Sequence, residues 1–244
     1  VPDLAITRNF DDALARLRDF KNEYNYLAFA SEPSTFQMAV LSGDGICGLW
    51  ELETGPWALG LGAYHPSFIP AVLSQASSAQ IRVTVPRGWT QVGLSKRSEW
   101  NFFLITSRKA PQQPNRYVVE ELTSDEEIKI FIERCAPDSS TWPGDPEILI
   151  WLGIRGRQGE LLSIGGAVRW KSGATMLVSI ATDPVARSKS MAQEVTASLA
   201  KRLFDLGEPA VGLGVWAHNA PAIRAYEKVG FELREEFVSG PLAT

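Results

Sequence analysis

Asn219-Ala220-Pro221-Ala222-Ile223-Arg224-Ala225-Tyr226-Glu227-Lys228-Val229-Gly230-Phe231 predicts a short helix with both ends marked. Asn219 is a good N-cap, because its side-chain oxygen can accept from the open N–H groups of the first turn. Pro221 fits inside that turn, where its missing donor is not needed. Ala222, Tyr226 and Val229 recur at helical spacing and share a face. Gly230 stands where a helix stops, and Phe231 opens the next apolar run.

Working outward, residues 210–216 read as the strand before this helix and 231–238 as the strand after it. A longer helix is expected over 188–206, with Met191, Val195, Leu199 and Leu203 on one face. A strand over 175–182 precedes it. Residues 148–155 and 161–170 read as a hairpin joined by the turn at 156–160. Further upstream, 117–122 reads as a strand. Thr123 or Ser124 then caps a helix carrying Ile128, Phe131 and Ile132, with Asp125, Glu126 and Glu127 in its first turn. Residues 136–147, rich in Pro, Gly, Asp and Ser, read as a loop. The order is mixed α/β, with an α+β mixed sheet.

Residues 109–116 hold two prolines and no apolar periodicity, so a domain boundary is expected there. The first half is less regular. Residues 11–24 suggest a helix through Leu14, Leu17 and Phe20. Residues 37–41, 48–51 and 57–62 suggest a meander, 67–79 a helix and 81–85 a strand. That order echoes the second half and points to a degenerate second copy of one fold, without a visible sequence repeat. The expected domains are 1–108, the degenerate copy, and 115–244.

The Asn219–Phe231 run resembles the last motif of the GNAT superfamily of N-acetyltransferases, with Asn219, Ala222, Tyr226, Gly230 and Phe231 at matching positions. A second matching stretch precedes the 188–206 helix: Thr182-Asp183-Pro184-Val185-Ala186-Arg187-Ser188-Lys189-Ser190-Met191-Ala192. In the family, a pyrophosphate sits on open N–H groups at this helix N-terminus, where the dipole adds attraction. Pro184, Arg187 and Ala192 match. Ser190 and Ser188 stand where glycine is usual, and a positive φ there would strain a serine. The resemblance implies a GNAT fold in the second half, in the manner of extended or tandem members. It also implies acetyl-CoA as co-substrate and direct transfer of the acetyl group to a primary amine.

What the resemblance implies about residues is specific. Ile180 and Thr182 would give main-chain contacts to the pantetheine arm, where strand 175–182 splays from its neighbour. Arg187, Ser188, Lys189, Ser190, Met191, Ala192 and Asn219 would hold the cofactor. Tyr226 would protonate the departing thiolate. The plainer readings are a core aromatic for Tyr226 and solvated charges for Arg187 and Lys189. The general base stays open: Ser179 sits where the substrate side is shaped, His218 can accept or relay a proton, and ordered water can serve instead. Asp138, Trp142 and Asp145 lie in the loop where the acceptor site would form, or are simply solvated. Trp50, Trp57, Trp89 and Trp100 fit core packing better than an aromatic pocket. A non-catalytic acyl-CoA-binding or regulatory protein is the alternative function.

Composition agrees with a globular chain: 244 residues, 45% hydrophobic and 21% charged, with a net charge of −4. That balance gives no electrostatic footprint for nucleic acid. Cys47 and Cys135 fit no metal spacing, so reduced thiols and no metal are expected. No segment reads as a membrane span or a secretory leader, and a cytoplasmic protein is the expectation. The expected partners are acetyl-CoA and a small amine or peptide acceptor.

Overall fold

The computed structural model of the chain describes residues 4–18 and 26–243. Phe20 and Tyr24 of the first expected helix lie outside them. In chain order the elements are β1 (Ala5–Thr7), α1 (Phe10–Arg18), α2 (Tyr26–Ala30), β2 (Phe36–Ser42), β3 (Gly45–Leu52), β4 (Gly55–Gly62), α3 (Phe68–Leu73), β5 (Arg82–Pro86) and β6 (Ser98–Thr106). There follow β7 (Glu120–Glu121), α4 (Asp125–Cys135), β8 (Ile148–Arg155), β9 (Leu161–Arg169), β10 (Thr175–Thr182), α5 (Met191–Asp205), β11 (Ala210–Trp216), α6 (Ala220–Val229) and β12 (Glu232–Pro241).

The chain forms two compact units that are not contiguous in sequence. One holds the residues up to Asn101 with Trp216–His218 and Arg234 onward; the other holds Phe102–Val215 and Asn219–Leu233. The expected cut at the proline-rich linker therefore differs from the observed division, which falls inside β6 and β12 and at the end of β11. The linker itself is tied down. Glu194 on α5 is fully buried and accepts from the backbone N–H groups of Asn115 and Arg116 at 3.0 and 2.9 Å.

In the first unit the strands run β1-β2-β3-β4-β5-β12. All neighbours are antiparallel except β4 and β5, which are parallel. Its core is built on Phe68, Val72, Val83, Val85 and Trp89. Trp50 is fully buried, with its ring 5.3 Å from that of Trp57, and Trp100 packs 4.8 Å from Phe237. Trp50, Trp57, Trp89 and Trp100 of this unit are thus packing groups. The helix expected over 67–79 stops at Leu73 because the following run is serine-rich. The Ser74 hydroxyl donates back to the Ala71 carbonyl at 2.8 Å, a local bond that competes with helix.

In the second unit the order is β6-β11-β10-β9-β8-β7, β6 contributing its residues from Phe102 onward. β10 and β11 are parallel, while β7, β8, β9 and β10 are successively antiparallel. Helix α5 buries Met191, Val195, Leu199 and Leu203, the stripe expected from spacing. Ser124 caps α4 by accepting from the Glu127 N–H, and Ile128, Phe131 and Ile132 pack on Trp151. Each such side chain contributes about 1.5–3 kcal/mol of burial, and Phe131→Ala would cost about 3–5 kcal/mol. The strand expected over 117–122 is reduced to Glu120–Glu121. The Glu194 tie draws residues 115–116 to α5, so pairing with β8 begins only at Glu120.

Both units share a succession: helix, three antiparallel strands, helix, then a strand parallel to the last of the three. The copy expected from the sequence is present in element order. Each series ends in a strand divided between the two groupings, β6 after the first and β12 after the second.

Candidate functional site

Strand β10 contains the first element of the site. Its register against β9 shifts between Val178 and Ala181, marking a bulge at Ser179, whose φ is +52°. Its parallel register with β11 covers only Met176 and Leu177, although both strands continue. Beyond Leu177 the two therefore part. The Asp183 N–H donates to the Leu162 carbonyl of β9. Backbone groups alternate along a strand, so the N–H and C=O groups of Ile180 and Thr182 point to the edge that β11 has left.

The second element is the start of α5. The helix expected from 188 begins at Met191, because Ser188 and Ser190 both take left-handed conformations, with φ +63° and +65°. This is the strained geometry anticipated for serines in glycine positions. Ser190 makes no side-chain cap. The first-turn N–H groups of α5 have no intrahelical acceptor and carry the positive end of the dipole. Asp183, the carboxylate before them, is occupied: it accepts from the Val185 N–H at 3.0 Å and pairs with Arg134 at 2.8 Å.

The third element is α6, formed as its residues predict. Asn219 accepts from the Ala222 N–H, Pro221 lies in the first turn, and Gly230 closes the helix at φ +113°. Tyr226 is buried, and burial pushes its phenol pKa well above the ordinary tyrosine value.

These three elements enclose a cavity of about 730 Å³. Of the residues singled out from the sequence, Ile180, Thr182, Arg187, Ser188, Ser190, Met191, Ala192, Asn219 and Tyr226 line it. Lys189 does not. It is exposed, and its ammonium donates to the Val185 carbonyl at 3.3 Å. His218 and Asp138 are exposed, Trp142 and Asp145 are half-buried, and all four lie outside the lining. Ser179 lies beside the lining and bonds to the 136–147 loop.

Sequence reasoning missed Arg224, Lys228, Gln193, Cys135 and Ala136. For two of them a signal existed: Pro221, Arg224, Ala225 and Lys228 stand at i, i+3, i+4 and i+7, one face of α6, and all four line the cavity. Arg187, Arg224 and Lys228 are its charged groups, and the lining holds no carboxylate or imidazole. The cavity suits an anionic ligand. Among the described residues, no group of three His, Cys, Asp or Glu side chains is placed to hold a metal, and no helix is long and apolar enough to cross a membrane.

Residues 152–238, from β8 into β12, match the FR47-like protein family. No curated protein matches. Among solved structures, the chain resembles a GCN5-related N-acetyltransferase from Kribbella flavida, at 15% identity and TM-score 0.57, covering 84% of this chain and 89% of that one. A GCN5-related N-acetyltransferase from Sphaerobacter thermophilus gives 15% identity and TM-score 0.56, covering 93% and 84%. A tandem GNAT protein from the clavulanic acid biosynthesis pathway gives 12% identity and TM-score 0.52, covering 99% of both chains. The splayed strands, the left-handed turn into α5 and the capped α6 thus belong to one known architecture, and the chain has the fold of the GNAT superfamily of N-acetyltransferases.

Proposed function

We propose that the second unit is an N-acetyltransferase that uses acetyl-CoA and a primary amine. The observation that carries this reading is the cavity. It joins a strand edge at Ile180–Thr182 that β11 no longer pairs, where the Thr182 carbonyl accepts from Arg187 Nε at 3.4 Å, to the open N-terminus of α5, three cationic side chains and a buried phenol. Acetyl-CoA matches that donor set: amides for the strand edge, phosphates for the helix end and cations, and a sulfur for the phenol. When bound it supplies an activated acyl group, which the amine nitrogen accepts as the carbon–sulfur bond breaks.

The chain's part is to bind and orient. Backbone groups of Ile180 and Thr182 position the arm, Arg187 and the first turn of α5 hold phosphate, and Tyr226 presents its O–H to the departing sulfur. Orientation supplies most of the rate in such transfers. A phenol whose pKa is raised by burial keeps its proton and is available as a donor. The same desolvation raises the pKa of the thiol it would protonate. The proton lost by the amine leaves through water, since the lining offers no side-chain base.

That same absence favours one second reading, a non-catalytic acyl-CoA-binding protein of GNAT fold. Calorimetric titration with acetyl-CoA tests both. One equivalent binding at micromolar affinity supports the cavity assignment, and CoA release in the presence of an amine panel selects the enzyme. Absence of binding by acetyl-CoA and by free CoA overturns both readings.

A further inference from the structure

Ser179 occupies the bulge of β10 at φ +52°. Glycine adopts that conformation without penalty and serine does not. Its hydroxyl lies 2.9 Å from the Thr141 carbonyl and 2.5 Å from the Ser139 hydroxyl. Each hydroxyl has one proton to give. The Ser139 hydroxyl also lies 3.3 Å from the Thr141 carbonyl, but the two shorter contacts are satisfied together only if Ser179 donates to Thr141 and Ser139 donates to Ser179. A second tie lies further along the same path, where Arg134 pairs with Asp183.

The two ties lay residues 134–141 alongside residues 179–183, the stretch from which β11 has parted. Cys135 and Ala136, within that segment, line the cavity. Thr141 is buried, and the Trp142 indole donates to the Ser139 carbonyl at 3.0 Å. The turn that meets Ser179 is thus itself ordered. A bulge that served only to redirect the strand would be met by glycine. Serine at this position carries backbone strain and gains two bonds to the neighbouring loop.

We propose that Ser179 is a positioning residue: through Ser139 and Thr141 its hydroxyl holds residues 134–141 as a closed wall along the open edge of β10, and so governs entry of the acyl acceptor. The word acceptor rests on the acetyltransferase reading; the wall does not. Loss of the hydroxyl frees the segment to swing away from β10 and widens the cavity at Cys135.

Cys135 is a built-in reporter. The chain has two cysteines. Cys47 is fully buried, and burial pushes its thiol pKa up to about 12, so the thiol reagent DTNB reads Cys135 in the folded protein. The experiment compares DTNB labelling rates of the full chain, Ser179→Gly and Ser139→Ala. Ser179→Gly removes the hydroxyl and relieves the backbone, while Ser139→Ala leaves β10 untouched. Both variants are expected to label about tenfold faster, the equivalent of about 1.4 kcal/mol. Melting temperatures should hold, and affinity for acetyl-CoA should stay within twofold. Unchanged labelling in both variants overturns the wall. Failure of the parent protein to bind acetyl-CoA overturns the acetyltransferase reading instead, and leaves the labelling result to decide the wall.

Discussion

The connection from β10 to α5 and the connection from β4 to α3 occupy the same place in the two element series, yet they end differently. In the second unit the strand parts from its parallel neighbour after Leu177, a fifteen-residue helix follows, and the space between is a cavity. In the first unit β4 is followed by a helix of six residues. There the Trp89 ring, just after β5, stands in the position that α6 takes after β11. Its indole donates to the Gly62 carbonyl at 2.8 Å, and it stacks on Phe68 at 5.5 Å. A Cβ on Gly60 would lie 2.4 Å from that ring. One copy leaves its strand end open onto a cavity; the other closes it with a tryptophan. The same strand order thus ends in a cavity or in packed core according to what fills the end of the strand.

The largest expected effect comes from removing that filler. Trp89 is 3% exposed, so Trp89→Ala should cost about 3–5 kcal/mol. At about 2–4 °C per kcal/mol for a chain of this size, melting should fall by about 10 °C. Acetyl-CoA should still bind at one equivalent per chain, because α3 presents no comparable helix end. A second equivalent in the variant would break the comparison, showing that the first unit holds a blocked site and not a filled core.

Tyr226 lies on the open side of the same comparison. Tyr226→Phe keeps the ring and removes the donor. It should lower kcat by about a hundredfold, the scale of one positioned acid, with acetyl-CoA affinity unchanged within twofold. The raised phenol pKa also sets a pH expectation. The phenol stays protonated in the folded state above the unfolded value of about 10, so kcat should show no decline from its ionisation below pH 10. Above pH 10 the unfolded chain releases a proton that the folded one retains, so this group lowers stability as pH rises further. Equal loss of affinity and kcat would make Tyr226 a packing residue, like Trp89.

What the sequence disclosed and what it hid divide along local and non-local lines. The α6 site was legible because every signal lies within thirteen residues: the Asn219 cap, Pro221, the Tyr226 face and the Gly230 stop. The α5 stripe was legible for the same reason. Its starting point does not show in the apolar spacing; only the glycines usual at Ser188 and Ser190 in the family hint at the left-handed geometry that delays the helix to Met191. β6 went unread because Phe102–Thr106 follows a polar stretch and runs into the linker. The grouping of β12 with the first unit depends on its pairing with β5, about 150 residues away. Arg224 and Lys228 were legible in principle, on the Pro221 face, but the Tyr226 face drew the reading.

Those two cations give an intermediate effect. Arg224 and Lys228 line the cavity from one face of α6, and the first unit has no helix in that position. Replacing both with Ala should weaken acetyl-CoA binding about tenfold at low salt. The difference should shrink as ionic strength rises and screening grows. Unfolding temperature should change little, since partly exposed charges contribute small amounts to stability. An affinity that does not respond to either the substitutions or salt would place the anionic part of the ligand at Arg187 and α5 alone.

The smallest effect sharpens the comparison at its most local point. Ser190 caps α5 in geometry only: its φ is +65° and its side chain makes no capping bond. Ser190→Gly removes a left-handed strain of about 1–2 kcal/mol. It also gives the unfolded chain more freedom, an opposing term of about 0.5–1 kcal/mol. The net expectation is a gain of about 0.5 kcal/mol, a rise of one or two degrees in melting temperature. Acetyl-CoA affinity should stay equal or improve, because the N–H groups of the first turn keep their directions. Weaker binding would show that the Ser190 hydroxyl itself touches the ligand. The serine would then be a binding group in its own right, and the glycine usual in the family would not be its equivalent here.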